Sequence, residues 1–129
     1  MSDKKRVLLV DDEPDLIAIL KKRFQKEGFD TDVAYDGNEA MAKVAANPPD
    51  AIVLDVMMPD KDGYEVCKEL KGDPNYRDIP ILLLTAVVSK IPTTSYTHRM
   101  GMETEADDYV DKPVEPTELV RLVERLLKK

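Results

Sequence analysis

The chain has 129 residues, of which 43% are hydrophobic and 35% charged, the profile of one ordinary globular domain. A net charge of −7 argues against nucleic acid as a direct partner, because contacts to phosphates need a basic surface. The single cysteine, Cys67, excludes an internal disulfide, and no apolar run is long enough to span a membrane, so we expect a cytoplasmic protein without direct membrane contact.

Strand-like and helical segments alternate along the chain. The strand-like segments are 6–10, 31–35, 51–55, 79–85 and 108–111, and the continuous apolar runs among them indicate strands covered on both faces. Helical patterns occupy 14–27, 37–46, 63–71 and 116–128, and the second of these places Ala40, Met41, Val44 and Ala45 on one face. Segment 86–107 contains Pro92 and poor helix formers, so we expect a short or irregular fourth helix there.

Five strands that alternate with helices predict an α/β fold with a parallel sheet, because successive parallel strands need right-handed crossover connections. Ligands of such sheets bind beyond the carboxyl ends of the strands, near the point where the strand order reverses. The sequence has no internal repeat, low-complexity tract or linker. We therefore expect a single domain over 1–129 with no output domain.

Polar residues lie at the carboxyl ends of four of the predicted strands. Asp11 and Asp12 follow the first strand, Asp55 ends the third, Thr85 ends the fourth and Lys112 follows the fifth. Each alone has a plain structural interpretation, such as a helix cap or a solvated loop residue. Because parallel strands point one way, all five fall at one edge of the sheet, and together they predict one functional site.

The motifs "VDDEPD", "LDVMMPDKDG", "LLLTA" and "DDYVDKP" closely resemble, as a set, the receiver domain of two-component response regulators. The resemblance covers essentially the whole chain and implies a receiver domain like those of chemotaxis regulators. It implies a flavodoxin-like (βα)5 doubly wound sandwich, with a five-stranded parallel sheet of order 2-1-3-4-5 and helices on both faces. It also implies a regulatory phosphoacceptor rather than an enzyme, one that assists only its own phosphorylation and dephosphorylation.

The same resemblance implies a metal-dependent site for the phosphoryl group. Asp55 would be the phosphoacceptor, and Asp11, Asp12, Asp55 and the backbone carbonyl of Met57 would bind Mg²⁺ or Mn²⁺. Adjacent carboxylates repel one another unless a cation joins them, and Mg²⁺ prefers oxygen ligands.

Three further roles follow from the resemblance. Lys112 and the metal would neutralise the charge of the transferred group, while Thr85 and Tyr109 would form the switch that reports phosphorylation. The implied phosphodonor is a sensor histidine kinase or a histidine phosphotransfer protein. Phosphorylation would alter the face of the fourth helix, fifth strand and fifth helix, and thereby control an unidentified target or a phosphorylation-dependent dimer.

The sequence departs from the family pattern near that face. The separation between Thr85 and Lys112 is longer than usual by about one helical turn or more. Glu105 stands where a glycine is usual. These departures bear on the partner and the form of the switch rather than on the phosphorylation chemistry.

Two other functions remain open at the level of sequence. One is a metal-dependent phosphatase with an aspartyl nucleophile. Such enzymes typically have a second acidic residue two positions after the nucleophile to protonate the leaving group, and this chain has Met57 there. The other is a flavodoxin-like cofactor-binding module, although no glycine-rich phosphate loop follows the first strand and "DDEPD" would repel a phosphate.

Overall fold

The computed structural model describes residues 4–58, 61–85, 106–112 and 114–128. In chain order the elements are β1 (Arg6–Val10), α1 (Pro14–Lys26), β2 (Asp30–Ala34), α2 (Gly37–Ala46), β3 (Ala51–Asp55), α3 (Gly63–Lys71), β4 (Ile81–Thr85), β5 (Asp108–Asp111) and α4 (Pro116–Leu127). Helix α4 is therefore the last helix predicted from the sequence. The irregular helix expected within 86–107 lies outside the described residues, apart from 106 and 107, and so does Glu105.

The five strands form one parallel sheet in the order β2-β1-β3-β4-β5, which confirms the predicted fold. From β1 the chain moves first to β2 on one side and then to β3 on the other. The strand order therefore reverses between β1 and β3, and the carboxyl ends of these two strands border the crevice in which such sheets bind ligands.

Helices cover both faces of the sheet because successive strand residues point to opposite sides. In β1, Val7 and Leu9 pack in the core beneath α1 and α4, whereas Leu8 and Val10 pack beneath α2 and α3. Strands β3 and β4 are buried along their whole length, as their continuous apolar runs predict. No helix in the described ranges is both long and apolar enough to cross a membrane.

Several element boundaries differ from the sequence prediction for identifiable reasons. Strand β2 ends at Ala34, because the backbone N–H of Tyr35 leaves the ladder and donates to Glu39 Oε1 at 2.8 Å. Strand β4 begins at Ile81 rather than residue 79, after Pro80, which has no backbone N–H to donate. Helices α1 and α4 each end one residue earlier than predicted, within ordinary fraying. Ala45 is exposed rather than inward-facing, since α2 buries only a narrow stripe.

A buried lysine ties together the amino ends of two strands, at the sheet edge opposite the predicted site. The side chain of Lys71, only 7% exposed, donates to the carbonyl of Ile79 and to Asp107 Oδ2, both at 2.8 Å. The same Asp107 oxygen accepts a hydrogen bond from the backbone N–H of Ile81, and the Asp107 N–H donates to the Ile81 carbonyl. The starts of β4 and β5 are thus fastened to each other and to the end of α3.

Candidate functional site

Two backbone hydrogen bonds that lie just beyond the strands hold Asp11 and Lys112 at the edge of the sheet. The N–H of Asp11 donates to the Ala34 carbonyl at 3.1 Å, just beyond the end of β1. The N–H of Lys112 donates to the Thr85 carbonyl at 2.9 Å, just beyond the end of β5. These two hydrogen bonds therefore fix the backbone positions of Asp11 and Lys112 at the edge of the sheet.

Three carboxylates meet at the crevice between β1 and β3. Asp11, Asp12 and Asp55 each offer an oxygen, and these oxygens all lie within 4.8 Å of one another. Asp11 and Asp55 are buried, whereas Asp12 is exposed to solvent. The structure thus brings the three predicted acids together at one site. Solvent reaches this site on the side of Asp12, whereas Asp11 and Asp55 form its buried side.

The ammonium of Lys112 lies among these carboxylates. Its Nζ atom is 2.8 Å from Asp11 Oδ2, 3.2 Å from Asp55 Oδ1 and 3.4 Å from Glu13 Oε1. Burial alone would lower the pKa of Lys112, but the pairs with Asp11 and Asp55 outweigh it and raise the pKa. Lys112 therefore stays protonated at any physiological pH.

The environment of Asp55 makes its negative charge costly. Burial and the neighbouring Asp11 carboxylate raise the pKa of Asp55 from 3.8 to about 6. Lys112 and the backbone N–H of Met57, which donates to the Asp55 carboxylate, partly oppose this rise. Asp55 is consequently ionised near neutral pH but holds its charge less readily than an ordinary aspartate.

This donor set fits a hard divalent cation. One ammonium faces three carboxylates, so the cluster carries excess negative charge when all three are ionised. Asp11 Oδ2 is buried and, within the described residues, accepts no hydrogen bond of good geometry even though Lys112 Nζ lies 2.8 Å away. Carboxylate oxygens of this kind suit Mg²⁺ or Mn²⁺. The role predicted for the Met57 carbonyl stays a prediction.

Thr85 and Tyr109 are not members of the acidic cluster. Thr85 is 4% exposed, and its hydroxyl donates to the Asp111 carboxylate on β5, with the Val110 carbonyl 3.4 Å away. Tyr109 is 50% exposed on the same strand, so it is not a core-packing residue in this structure.

The close packing of α3 against β3 holds Asp55 in place. A Cβ atom at Gly63 would lie 2.4 Å from the carbonyl oxygen of Asp55 and 2.9 Å from the Cα of Val56. The N–H of Gly63 donates to the Val56 carbonyl at 3.0 Å, and the Asp62 side chain caps α3 by accepting from the Glu65 N–H. Only glycine allows the helix to start so near the backbone of Asp55.

Sequence reasoning missed two contacts in this region. Glu13 is the N-cap of α1 but makes no capping bond with its side chain, which contacts Lys112 instead. Asp111 was not singled out, although it accepts the Thr85 hydroxyl. The signal available for both was adjacency, since each is next in sequence to a predicted site residue.

This fold has counterparts among known proteins. A family model described as "Response regulator receiver domain" matches residues 7–124. The signal receiver domain of a signal transduction histidine kinase from Syntrophus aciditrophicus is 35% identical with a TM-score of 0.88, and the match covers 96% of this chain and 90% of that one. The receiver domain of Francisella response regulator 1452 is 34% identical with a TM-score of 0.83, over 97% and 98% of the two chains.

A third similar structure carries a metal. The receiver domain of sensor histidine kinase PA1611 from Pseudomonas aeruginosa PAO1 is 26% identical with a TM-score of 0.85, over 98% of this chain and 99% of that one. That protein has a magnesium ion coordinated in its active-site cleft.

Proposed function

Because the chain belongs to the response regulator receiver domain family, we propose that it is a phosphorylation-controlled switch that accepts a phosphoryl group on Asp55. Receiver domains are regulatory switches of two-component signalling rather than enzymes that turn over a substrate. The observation that carries the proposal is the buried Asp55 carboxylate held between Lys112 and the acidic pair Asp11 and Asp12. The switch would act in the cytoplasm.

The proposed reaction is one phosphoryl transfer. A carboxylate oxygen of Asp55 attacks the phosphorus of a phosphohistidine, the phosphorus–nitrogen bond breaks, and the donor imidazole leaves with the electron pair. The product is an acyl phosphate on Asp55. The nucleophile must be ionised, which a pKa of about 6 permits at neutral pH, and Lys112 neutralises charge on the transferred oxygens.

A divalent cation completes the proposed site. Asp11, Asp12 and Asp55, together with the Met57 carbonyl, would hold Mg²⁺ or Mn²⁺, and the magnesium in the similar receiver domain PA1611 supports this assignment. When bound, the cation supplies positive charge that offsets the negative charge of the three carboxylates and the incoming phosphoryl group.

Thr85 and Tyr109 form the proposed readout. The phosphoryl group brings new acceptor oxygens that attract the Thr85 hydroxyl, and the half-exposed Tyr109 ring on β5 can move inward when that hydroxyl moves. Phosphorylation then biases an existing two-state equilibrium of the face that includes β5 and α4. The downstream target, or a second copy of the chain in a phosphorylation-dependent dimer, would recognise this face.

The proposed phosphodonor is a sensor histidine kinase or a histidine phosphotransfer protein that docks on α1. A groove of about 310 Å³ between α1 and the start of α4 is lined by Ile19, Lys22, Arg23, Lys26, Glu115, Pro116 and Thr117. Ile19 is 55% exposed, and the groove has three basic side chains against one acidic side chain, although the protein carries a net charge of −7. This combination suits a partner with an apolar anchor and an acidic rim.

Incubation with acetyl phosphate and Mg²⁺ tests the proposed function. Intact-mass spectrometry should show one labile phosphoryl group on the wild type and on Asp15→Asn, an exposed control, but none on Asp55→Asn. A wild-type protein that stays unmodified under these conditions would refute the assignment. Catalytic hydrolysis of phosphomonoesters would instead indicate the phosphatase alternative.

A further inference from the structure

The Thr85 hydroxyl has an anionic partner other than the predicted phosphorylation site. Thr85 and Asp111 are register partners on the adjacent parallel strands β4 and β5, so they lie side by side. The hydroxyl donates to Asp111 Oδ1, and the Lys112 N–H donates to the Thr85 carbonyl at 2.9 Å. Side chain and backbone together fix Thr85 against the end of β5.

A hydroxyl group has a single proton, so it can donate to only one acceptor at a time. In this structure that acceptor is a carboxylate, which makes the bond charge-assisted and stronger than one to a neutral oxygen. A phosphoryl group on Asp55 would offer a competing anionic acceptor. The two hydrogen bonds exclude each other.

We propose that Asp111 is a positioning residue that holds the Thr85 hydroxyl toward β5 in the unphosphorylated protein and thereby opposes the switch. This inference rests on the proposed function, because the competing acceptor is the phosphoryl group on Asp55. Phosphorylation must break the bond between Thr85 and Asp111 before the hydroxyl can turn inward. Asp111 therefore sets the resting position of the equilibrium that phosphorylation biases.

A simpler effect of Asp111 must be separated from this one. Asp111 is exposed and negatively charged, so its removal would also reduce repulsion toward any anion at the site. Repulsion of this kind acts whether or not residue 85 has a hydroxyl, whereas the proposed competition requires that hydroxyl. A double-mutant cycle with Thr85 therefore distinguishes the two effects.

The experiment measures the affinity of the protein for beryllium fluoride, an analogue of the phosphoryl group, in the presence of Mg²⁺. Asp111→Ala should bind the analogue about 3- to 10-fold more tightly than the wild type, because one competing hydrogen bond is lost. Asp111→Asn, which keeps a neutral acceptor, should have an intermediate affinity. In a Thr85→Val background, Asp111→Ala should cause no further gain.

Asp108→Ala is the matched control, because it removes the same charge from the same strand, about 10 Å away. Equal gains from Asp108→Ala and Asp111→Ala would overturn the proposal, as would a gain from Asp111→Ala that persists in the Thr85→Val background. No gain in Asp111→Ala, with a wild type that binds the analogue, would overturn the proposal and leave the proposed function standing. A wild type that neither binds the analogue nor is phosphorylated by acetyl phosphate would overturn both.

Discussion

Lys112 Nζ lies 3.2 Å from Asp55 Oδ1, although the strands that carry these two residues are separated in the sheet by β4. Neighbouring strands are about 4.8 Å apart, so the lysine side chain reaches across two strand spacings. A long side chain with its charge at the tip can make this contact from the end of β5. The ammonium therefore contacts Asp55, the proposed phosphoacceptor, from the end of a strand that is itself part of the proposed switch.

Loss of the Lys112 ammonium should destabilise the protein in a pH-dependent way. Lys112→Ala leaves Asp11 and Asp55 buried without their cation, which should lower the free energy of unfolding by about 1 to 3 kcal/mol at pH 8. The loss should shrink at pH 5, because Asp55 then takes up a proton. Urea unfolding at both pH values measures this difference. Lys112→Arg keeps the charge and should lose less, and an equal loss in both variants would show that charge is not the cause.

The raised pKa of Asp55 predicts how stability without metal depends on pH. The native pKa of about 6 exceeds the ordinary value of 3.8, so the native state favours the protonated form. This contribution to stability is fully present below pH 3.8 and is lost as the pH rises through 6. In the presence of a chelator, Asp55→Asn should therefore be more stable than the wild type by about 1 to 2 kcal/mol at pH 8.

A bound cation should offset the loss of stability that accompanies ionisation of Asp55. Mg²⁺ requires the ionised carboxylates, so millimolar Mg²⁺ should raise the Tm of the wild type by about 2 to 6 °C at pH 8 and by much less at pH 5. Asp55→Asn should lose most of the shift at both pH values. Thermal unfolding followed by circular dichroism measures it, with Asp15→Asn as the control. A shift of the same size at pH 5 and pH 8 would argue against binding at this carboxylate cluster.

Gly63→Ala should destabilise the protein more than a substitution at the start of a helix usually does. The added Cβ would meet the Asp55 carbonyl at 2.4 Å, so either α3 or the end of β3 must move, at a cost of about 1 to 3 kcal/mol. Gly72→Ala is the matched control, since its Cβ would approach no closer than 3.2 Å to the Lys68 carbonyl. Urea unfolding of the two variants should differ clearly, and equal stabilities would mean that the close approach to Asp55 is unimportant.

The side chain of Met57 should make the phosphorylated protein long-lived. It is 64% exposed beside Asp55, and its thioether cannot position an attacking water well. Met57→Asn should shorten the half-life of the phosphoprotein by roughly 3- to 10-fold, as one water-positioning hydrogen bond is worth about 1 kcal/mol. The decay is followed by mass spectrometry after removal of the phosphodonor. Met57→Leu should decay like the wild type, and an unchanged rate in Met57→Asn would disprove the idea.

The basic groove on α1 should matter for a protein phosphodonor but not for a small one. Ile19→Ala combined with Lys22→Glu should slow phosphotransfer from a sensor histidine kinase about 10-fold or more, because an apolar anchor and a complementary charge are lost. Phosphorylation by acetyl phosphate should be unchanged. Lys68→Glu, an exposed charge reversal on α3, is the control. Equal slowing with both donors would place the effect at the phosphorylation site instead of the groove.

The parts of the fold that follow from local rules were predictable from the sequence. Continuous apolar runs indicate β1, β3 and β4. Because the strands are parallel, the polar residues at their carboxyl ends lie at one edge of the sheet. The capping aspartate Asp36 was also predictable, because Glu39 follows three residues later, and the Asp36 side chain accepts a hydrogen bond from the Glu39 N–H.

The contacts that depend on side-chain direction were not predictable. Glu13 could equally stabilise the start of α1 or reach Lys112, and only the placement of β5 relative to β1 decides between these. The bond between Thr85 and Asp111 depends on the register of β4 against β5, which no sequence pattern encodes. Strand boundaries at Tyr35 and Pro80 shifted because single hydrogen bonds decide them.

The buried Lys71 has a mechanical consequence for these two strands. Since it anchors the starts of β4 and β5 to α3, neither strand can slide along the other without breaking that anchor. A displacement of the proposed switch residues Thr85 and Tyr109 should then be a rotation of the carboxyl ends of the two strands about this anchor. The amplitude should then grow with distance from Lys71 and be greatest at the edge of the sheet that carries Asp55.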